Sequence, residues 1–438
     1  MKRLRVAVLD PGHFHAALSL RESYPALDDE VHVYAPDGPG LAAFEAMIES
    51  FNRRDRQPTR WHLRRHVSAD PLAALLHDRT GDLVILAGKN HSKLAAIERL
   101  NAAGFMIFAD KPWVTDDTAV PLLGRAMAPD RPPTTDIMTS RFEPTSLLLR
   151  AFLGEPALFG EPTADGNGPT LSLGSVHHLL KVVNGSTLRR PAWYFDTRIQ
   201  GEGIVDVTTH LVDLAQWLLC PGQRVEFERD IRLDAARRWA TPVSLESFER
   251  ITGTQGFPDS LRTEVQDGTL PLYCNGEIRY RLKGLPVQVN VAWHLEQPPG
   301  GGDTHLTIAR GTRADLIVRQ LPERGFRKEF AVVPKEAATG TGERIRAALA
   351  RHLPEWTDVI VEPQGHEWIV GVPPTRQTTH EQHFCEARDA FLREVATGKE
   401  PAEHRVNLVT KYRLLAAARA LARIAPAVES GRLNPASA

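Results

Sequence analysis

Short apolar runs alternate with helically spaced segments through the first part of the chain. Strands are predicted at the short, mainly apolar runs at residues 4–9, 31–35, 82–87 and 105–109. The run at 82–87 is typical of a strand that is buried on both faces of a parallel sheet. Helices are predicted where apolar residues recur at helical spacing, at residues 16–23, 41–53, 70–76 and 91–103. Asp70 and Pro71 supply a helix start, and Gly104 supplies a helix end. This alternation predicts βαβ units and a parallel sheet.

The pattern changes after residue 225, where strand-like runs are separated by turns. The runs lie at residues 225–233, 277–282, 287–295, 305–309, 314–319 and 328–333. They predict a second, largely antiparallel sheet. Helices are predicted at 244–251 and 343–352, and the tail at 379–425 is helical again.

The segment at residues 201–219 predicts a helix with two distinct sides. Asp206, His210 and Asp213 stand at i, i+4 and i+7 on one side, and a separate stripe is apolar. A carboxylate and an imidazole one turn apart can share a proton or orient each other. The alternative is an ordinary exposed helix face that carries these residues by chance.

The turn after the first strand is where a dinucleotide-binding loop would lie. Of the G-x-G-x-x-G pattern only Gly12 is present, because Asp10 and His15 replace the other glycines and Pro11 has no N–H to donate. Gly12 still permits close approach of a phosphate, and His13 or His15 can offer a side-chain donor. Solvated or capping histidines are the alternative interpretation.

Two further positions follow predicted strands. Asp37 is placed to accept a hydrogen bond from an adenosine ribose, which favours NAD over NADP, although a plain Asp-Gly turn explains it equally well. Lys111 directly follows the strand at 105–109, at the edge of the sheet where ligands bind. Pro112 biases Lys111 to an extended backbone and permits a cis bond.

Asp110-Lys111-Pro112, the Asp206-to-His210 spacing and the segment at 141–144 together resemble the Gfo/Idh/MocA family of oxidoreductases. The chain departs from that family at Asp110, where a glutamate is usual, and in the loop containing Gly12. The resemblance implies an α/β fold in which an N-terminal Rossmann-like parallel sheet is joined to an α+β domain with a large, mostly antiparallel open sheet. It implies a dinucleotide-binding domain at 1–145, a substrate and oligomerisation domain at 146–375, and C-terminal helices at 376–438 that return to the first domain. The residues it assigns are Lys111, Asp206 and His210 for catalysis, and Gly12, His13, Phe14, His15, Asp37, Asn90, His91 and Lys111 for a cofactor, NAD or NADP.

Composition limits the partners. The 438 residues carry a formal net charge of −1, which gives no general attraction to nucleic acid or to an anionic membrane. A small-molecule partner is expected instead. Cys220, Cys274 and Cys385 form no metal-binding or disulfide pattern and predict buried thiols. With no signal peptide or membrane span in the sequence, we expect a cytoplasmic protein.

No metal site is predicted. His177 and His178 are adjacent and would diverge on a helix, and His380 and His383 are three apart, which fits a helix start better than a zinc site.

The hypothesis drawn from these residues is hydride transfer between a nicotinamide and a hydroxyl or carbonyl of a sugar-like or polyol-like substrate. His210 would take the hydroxyl proton, Lys111 would hold the developing alkoxide, and Asp206 would orient His210 or bind a neighbouring hydroxyl. One alternative is an NAD-retaining glycoside hydrolase or lyase of the same fold, and another is a ligand-binding member without redox activity. The resemblance also implies a homo-oligomer formed through the open sheet.

Overall fold

The computed structural model describes residues 3–164, 166, 168–183, 186–335 and 339–424. Two compact units are found within the chain. Unit 1 comprises Met1–Phe142 and Thr378–Tyr412, and unit 2 comprises Glu143–Gln377 and Arg413–Ala438.

Unit 1 is built on a six-stranded parallel sheet with the strand order β3-β2-β1-β4-β5-β6. Its elements are β1 (Leu4–Leu9), α1 (His15–Leu18), β2 (Leu27–Ala35), α2 (Pro39–Arg53), β3 (His62–Val67), α3 (Pro71–Asp78), β4 (Leu83–Leu86), α4 (Lys93–Ala102), β5 (Met106–Ala109), α5 (Val120–Ala126) and β6 (Thr134–Asp136). The four predicted strands are present, and the predicted cap at Asp70 accepts a hydrogen bond from the Ala73 N–H at 3.0 Å. Gly104 adopts a φ of +95°, as expected after a helix end.

The helix predicted at 16–23 is wrong in length, because α1 ends at Leu18. The backbone carbonyls beyond it are used by other parts of unit 1. The indole of Trp61 donates to the Leu20 carbonyl at 2.6 Å, and Arg388 donates to the carbonyls of Ser19 and Glu22 at 2.8 Å each. These bonds hold the chain in an irregular path where helical bonds would otherwise form.

In unit 2, the elements that precede α9 are α6 (Pro144–Leu153), β7 (Leu171–Leu180), β8 (Val182–Val183), β9 (Ser186–Thr187), α7 (Thr197–Gln200) and α8 (Thr208–Leu219). They are followed by α9 (Phe227–Asp230), β10 (Ile231–Ser244), α10 (Leu245–Thr252), β11 (Thr269–Leu282), β12 (Leu285–Glu296), β13 (Thr304–Arg310), β14 (Ala314–Gln320), β15 (Glu329–Pro334), α11 (Thr341–His352), β16 (Ile360–Gln364) and β17 (Glu367–Gly371). Helix α12 (Gln382–Thr397) lies in unit 1, and α13 (His404–Ile424) contributes its first residues to unit 1 and the rest to unit 2. Short 3-10 helices lie at Asp117–Ala119, Thr139–Phe142, Ala192–Phe195, Asp259–Glu264, Pro322–Arg324 and Pro374–Arg376.

Unit 2 is organised by a nine-stranded sheet with the order β10-β11-β12-β7-β13-β14-β15-β17-β16. Its neighbours pair antiparallel except β12 and β7, which are parallel. The predicted fold class, a Rossmann-like parallel sheet joined to a mostly antiparallel one, is therefore confirmed. The run at 225–233 is only partly a strand, because a short helix, α9, precedes β10.

The predicted helix at 201–219 begins later than its sequence spacing indicates. The structure places its first residue at Thr208, so Asp206 lies in the preceding turn. Gly203 explains the turn, because a Cβ there would lie 1.7 Å from the backbone oxygen of Cys274 on β11. The chain passes so close to the sheet at this point that only glycine fits.

The three cysteines are free and buried, as predicted. Burial raises the pKa of Cys220 to about 11 and that of Cys274 to about 12. Among the residues described, no helix combines the length and apolar character needed to cross a membrane.

Candidate functional site

The loop after β1 carries four of the predicted cofactor residues, Gly12 to His15. Its backbone N–H groups are partly used within unit 1, since Gly12 donates to the Asp10 carbonyl at 2.7 Å and His13 donates to the Ala87 carbonyl at 2.8 Å. A conventional glycine-rich loop would direct such groups at a pyrophosphate. Those two N–H groups are therefore not available to a pyrophosphate, and His13 can donate to a ligand only through its imidazole.

Three glycines bring backbone segments close together at the carboxyl ends of the parallel strands. A Cβ at Gly88, after β4, would lie 2.5 Å from the Asp10 carbonyl oxygen. A Cβ at Gly40, in α2, would lie 3.4 Å from the Cα atom of Gly12. Residues 12, 40 and 88 thus form a tight rim beside the crevice between β1 and β4, where the direction of strand order reverses.

His13, His15 and Asp110 form a compact polar cluster on this edge. The Nδ1 atom of His15 lies 2.8 Å from Oδ2 of Asp110, and Nδ1 of His13 lies 3.8 Å from the same oxygen. Burial lowers the pKa of His13 well below its usual value, and the nearby charge of His15 lowers it further. Burial alone would raise the pKa of Asp110, but the charge and hydrogen bond of His15 hold it well below the usual range. The cluster therefore combines a neutral imidazole with a carboxylate.

Two other predicted cofactor residues, Phe14 and Asp37, are open to solvent. The ring of Phe14 is 41% exposed. The side chain of Asp37 is 82% exposed, and its carboxylate lies 3.9 Å from Arg65. Both are therefore accessible to a ligand, with Asp37 held only weakly by its neighbour.

Asn90 and His91 have different environments although they are adjacent. Asn90 is buried and accepts a hydrogen bond from Lys93 at 2.5 Å, whereas His91 is exposed. Sequence analysis missed Lys93, which is itself buried in the first turn of α4. A lysine at a helix N-terminus is disfavoured by the helix dipole, and that signal was available in the sequence.

Lys111 is buried, with 8% of its surface exposed, and follows Asp110 at the carboxyl end of β5. Its bond to Pro112 is cis, the form that the sequence permitted. Unit 1 thus brings together Lys111, the histidine pair and the loop containing Gly12 on one edge of its sheet.

Unit 2 holds the other two predicted catalytic residues. Asp206 is buried and accepts a hydrogen bond from the Gln200 side chain at 3.1 Å. His210 is half-buried in the first turn of α8. Beside Asp206, the buried carboxylate of Glu202 lies within 3.5 Å of three arginines, which sequence analysis did not connect: Arg238, Arg419 and Arg423.

A second polar cluster in unit 2 surrounds Asp303. His177 and His178 lie on strand β7, so the helix assumed for them from the sequence is wrong. The carboxylate of Asp303 accepts hydrogen bonds from Lys181 at 2.9 Å, His177 at 3.2 Å and His178 at 3.3 Å. His305 lies 5.7 Å from His177 between ring centres, and burial lowers the pKa of His305 to about 3. Sequence analysis missed Asp303, because this residue lies between the strand-like runs at 287–295 and 305–309 and forms no local pattern with the histidines.

The cluster around Asp303 lies on the sheet next to a hydrophobic core, and α8 packs against that core. His177 and Trp293 are paired across β7 and β12, and their ring centres are 4.9 Å apart. Trp293 belongs to the same hydrophobic cluster as Tyr194, and Val207 and Leu211 beside His210 pack against that cluster. Unit 2 therefore places several polar side chains next to the helix that carries His210.

Comparisons with known proteins give a consistent picture. No curated protein matches the chain significantly. The family model described as "Putative oxidoreductase C terminal domain" matches residues 148–423. A solved structure described as "a putative oxidoreductase from Parabacteroides merdae ATCC 43184" is 37% identical, with a TM-score of 0.92 over 96% of this chain and 98% of that chain.

More distant structures share the fold. Levoglucosan dehydrogenase in complex with NADH and levoglucosan is 16% identical, with a TM-score of 0.60 over 96% of this chain and 98% of that chain. An oxidoreductase from Agrobacterium radiobacter in complex with NAD+, L-tartaric acid and magnesium is 14% identical, with a TM-score of 0.58 over 97% of each chain. The predicted enzyme class, an oxidoreductase, is confirmed by the family match, and this chain belongs to the family described as "Putative oxidoreductase C terminal domain".

Proposed function

We propose that this protein is a nicotinamide-dependent oxidoreductase of the Gfo/Idh/MocA type that acts on a hydroxyl or carbonyl group of a sugar-like or polyol-like substrate. The observation that carries the proposal is the buried ammonium group of Lys111 at the carboxyl end of β5. A lysine is rarely buried in a protein unless its ammonium group is paired with a polar or charged group. Distant structures of the same fold that contain NADH or NAD+ support the choice of cofactor.

The carboxyl edge of the unit 1 sheet fits a dinucleotide. The glycine rim at residues 12, 40 and 88 allows close approach to the backbone, and the exposed carboxylate of Asp37 can accept from a ribose hydroxyl. Asp37 favours NAD, since a 2′-phosphate would meet its negative charge. The residues that would hold the cofactor are Gly12, His13, Phe14, His15, Asp37, Asn90, His91 and Lys111.

The protein's own residues supply placement and proton transfer. A bound nicotinamide supplies the hydride acceptor or donor. In the oxidising direction, His210 is assigned to take the proton of the substrate hydroxyl on a ring nitrogen. Lys111 is assigned to stabilise negative charge that develops on the substrate, by donating a hydrogen bond from its ammonium group. Asp206, held by Gln200, orients His210 or accepts from a neighbouring hydroxyl.

A fluorescence titration tests the cofactor first. The chain contains eight tryptophans, so binding of NADH or NADPH can be followed by quenching and energy transfer. We expect saturable binding, tighter for NADH, followed by substrate-dependent changes in nicotinamide absorbance with a panel of sugars and polyols. Absence of binding by either cofactor at millimolar concentration would overturn the proposal.

One observation favours a second candidate, a ligand-binding protein without redox activity. The N–H groups of Gly12 and His13 are already donated within unit 1, which weakens a conventional pyrophosphate contact. Under this alternative neither cofactor binds, while a sugar-like ligand still stabilises the protein against heat.

The proposal extends to partners and location. We propose a small-molecule substrate, self-association through the large sheet of unit 2, and action in the cytoplasm. Sedimentation velocity measures the oligomeric state, and a single monomeric species across micromolar concentrations would contradict self-association.

A further inference from the structure

His13, His15 and Asp110 have the spacing of metal ligands. One potential ligand atom from each lies within 4.8 Å of the others. The two distances to the Asp110 carboxylate oxygen are 2.8 Å from His15 and 3.8 Å from His13. A tetrahedral ion with bonds of about 2.0 to 2.1 Å separates its ligand atoms by roughly 3.3 Å. Small side-chain shifts would therefore bring all three atoms onto one ion.

The backbone holds these residues near that geometry. The N–H of His13 donates to the Ala87 carbonyl at 2.8 Å, and the N–H of Asp110 donates to the Leu86 carbonyl at 2.7 Å. Both segments are thus fixed to the carboxyl end of β4. The imidazole rings are also packed, with centres 4.0 Å apart between His13 and His15. A ligand set that is already positioned loses little conformational freedom when it binds an ion.

We propose that His13, His15 and Asp110 bind a divalent transition-metal ion, with at least one coordination position left open. Two imidazoles and one carboxylate are a ligand set typical of zinc and its neighbours in the first transition row. Magnesium and calcium prefer oxygen ligands and are not expected to bind here. The inference goes beyond the proposed function, because it concerns an ion and requires no dinucleotide.

Positive charges near the three ligands affect which metal ions can bind. Lys93 and Lys111 lie close enough to affect the electrostatics of His13. Two ammonium groups oppose binding of any cation, so the bonds from imidazole nitrogen must compensate. Affinity should therefore follow the preference of nitrogen ligands, with zinc and nickel binding more tightly than manganese.

The test uses the full chain without an affinity tag, freed of metal with a chelator and assayed without nucleotide. Calorimetry with ZnCl2 and visible absorption with CoCl2 are expected to show one ion per chain and the intense bands of tetrahedral cobalt. His15→Ala and Asp110→Asn should each weaken metal binding by about tenfold to a hundredfold.

The His13→Gln variant distinguishes the loss of a metal ligand from the loss of the fold. His13 stands 3.8 Å from Asp110, so replacing it leaves the 2.8 Å hydrogen bond between His15 and Asp110 in place. His77→Ala is the matched control, because the side chain of His77 is 89% exposed and lies apart on α3. We expect His13→Gln to lose affinity and His77→Ala to retain it. Wild-type protein that binds neither ion at millimolar concentration, or a folded His13→Gln variant with unchanged affinity, would overturn the proposal, whatever the outcome of the nicotinamide titration.

Discussion

Asp303→Asn tests the polar cluster of unit 2 with almost no change of shape. The carboxylate accepts hydrogen bonds from His177, His178 and Lys181, and 18% of its side chain is exposed. Burial alone would raise the pKa of Asp303, but the hydrogen bonds from the two histidines, with the charge of Lys181, hold it well below its usual value. The ionised form is therefore strongly preferred in the folded protein.

The expected loss follows from these contacts. Hydrogen bonds to a charged group contribute about 1.5 to 3 kcal/mol each, and partial exposure with retention of one amide oxygen reduces the total. We expect Asp303→Asn to lower the free energy of unfolding by about 2 to 4 kcal/mol, which corresponds to a fall in Tm of roughly 5 to 10 °C in a unit of this size.

Thermal unfolding by calorimetry measures the effect. Asp234→Asn is the control, because Asp234 on β10 is 34% exposed and pairs with Arg232 at the surface, where loss of an ion pair costs less than about 1 kcal/mol. Since the folded pKa of Asp303 is lowered, its contribution is complete above the unfolded pKa of about 3.9 and is lost as pH falls towards the folded value. The gap in Tm should persist from pH 7 to about pH 5 and close in stronger acid. An Asp303→Asn protein that melts with the wild type at pH 7, or no lower than Asp234→Asn, would refute the reasoning.

Three further changes test other parts of the account. His210→Ala should lower kcat on a confirmed substrate about a hundredfold to ten thousandfold while far-UV circular dichroism is unchanged, and unaltered turnover would remove His210 from catalysis. Asp37→Ala should weaken NADH binding by roughly tenfold to a hundredfold with a much smaller effect on NADPH, as measured by fluorescence titration; an equal effect on both would contradict a ribose contact. Gly203→Ala places a Cβ against the Cys274 backbone oxygen at 1.7 Å and should destabilise the fold by more than about 4 kcal/mol, whereas Gly124→Ala, with no atom near its new Cβ, should be neutral or stabilising by up to about 1 kcal/mol. A Gly203→Ala protein that melts like the wild type would show that the two segments can separate easily.

The strands of unit 1 could be predicted because burial on both faces leaves continuous apolar runs. Residues 83–86 are completely or almost completely buried, and their sequence is uniformly apolar. β3 was missed for the opposite reason. It lies at the edge of the sheet, most of His62–Val67 is exposed or half-buried, and the segment is correspondingly polar. Edge strands carry a weak sequence signal because only one neighbour and part of one face constrain them.

The start of α8 could not be predicted from spacing alone. The positions of Asp206 and His210 fit one helix face, but the structure has Asp206 in a turn that follows the close approach of Gly203 to β11. That approach joins residues about 70 positions apart in the sequence. A local pattern cannot contain such a constraint, so tertiary packing decided the helix boundary.

The same limit applies to the environment of the two predicted histidines. His177 and His178 could be singled out as polar residues in an apolar segment, but their common partner Asp303 follows them by more than a hundred residues. Only the pairing of β7 with β13 brings the turn before Thr304 to the end of β7. Adjacent side chains were expected to diverge, yet the carboxylate reaches both, because each of its oxygens accepts from a different ring.

The loop after β1 shows what position and composition each determine at the candidate cofactor edge. The strand order places this loop beside the end of β4 whatever residues it contains, since β1 and β4 are neighbours in the sheet. Composition then decides which chemical groups the edge can offer. Gly12 and His13 donate their N–H groups within unit 1, while the imidazoles of His13 and His15 stand at the Asp110 carboxylate. At this edge, imidazole and carboxylate side chains therefore take the place of backbone N–H donors, and such side chains can bind either a proton or a metal ion. The departures from the usual glycine pattern thus indicate which chemistry the edge can support.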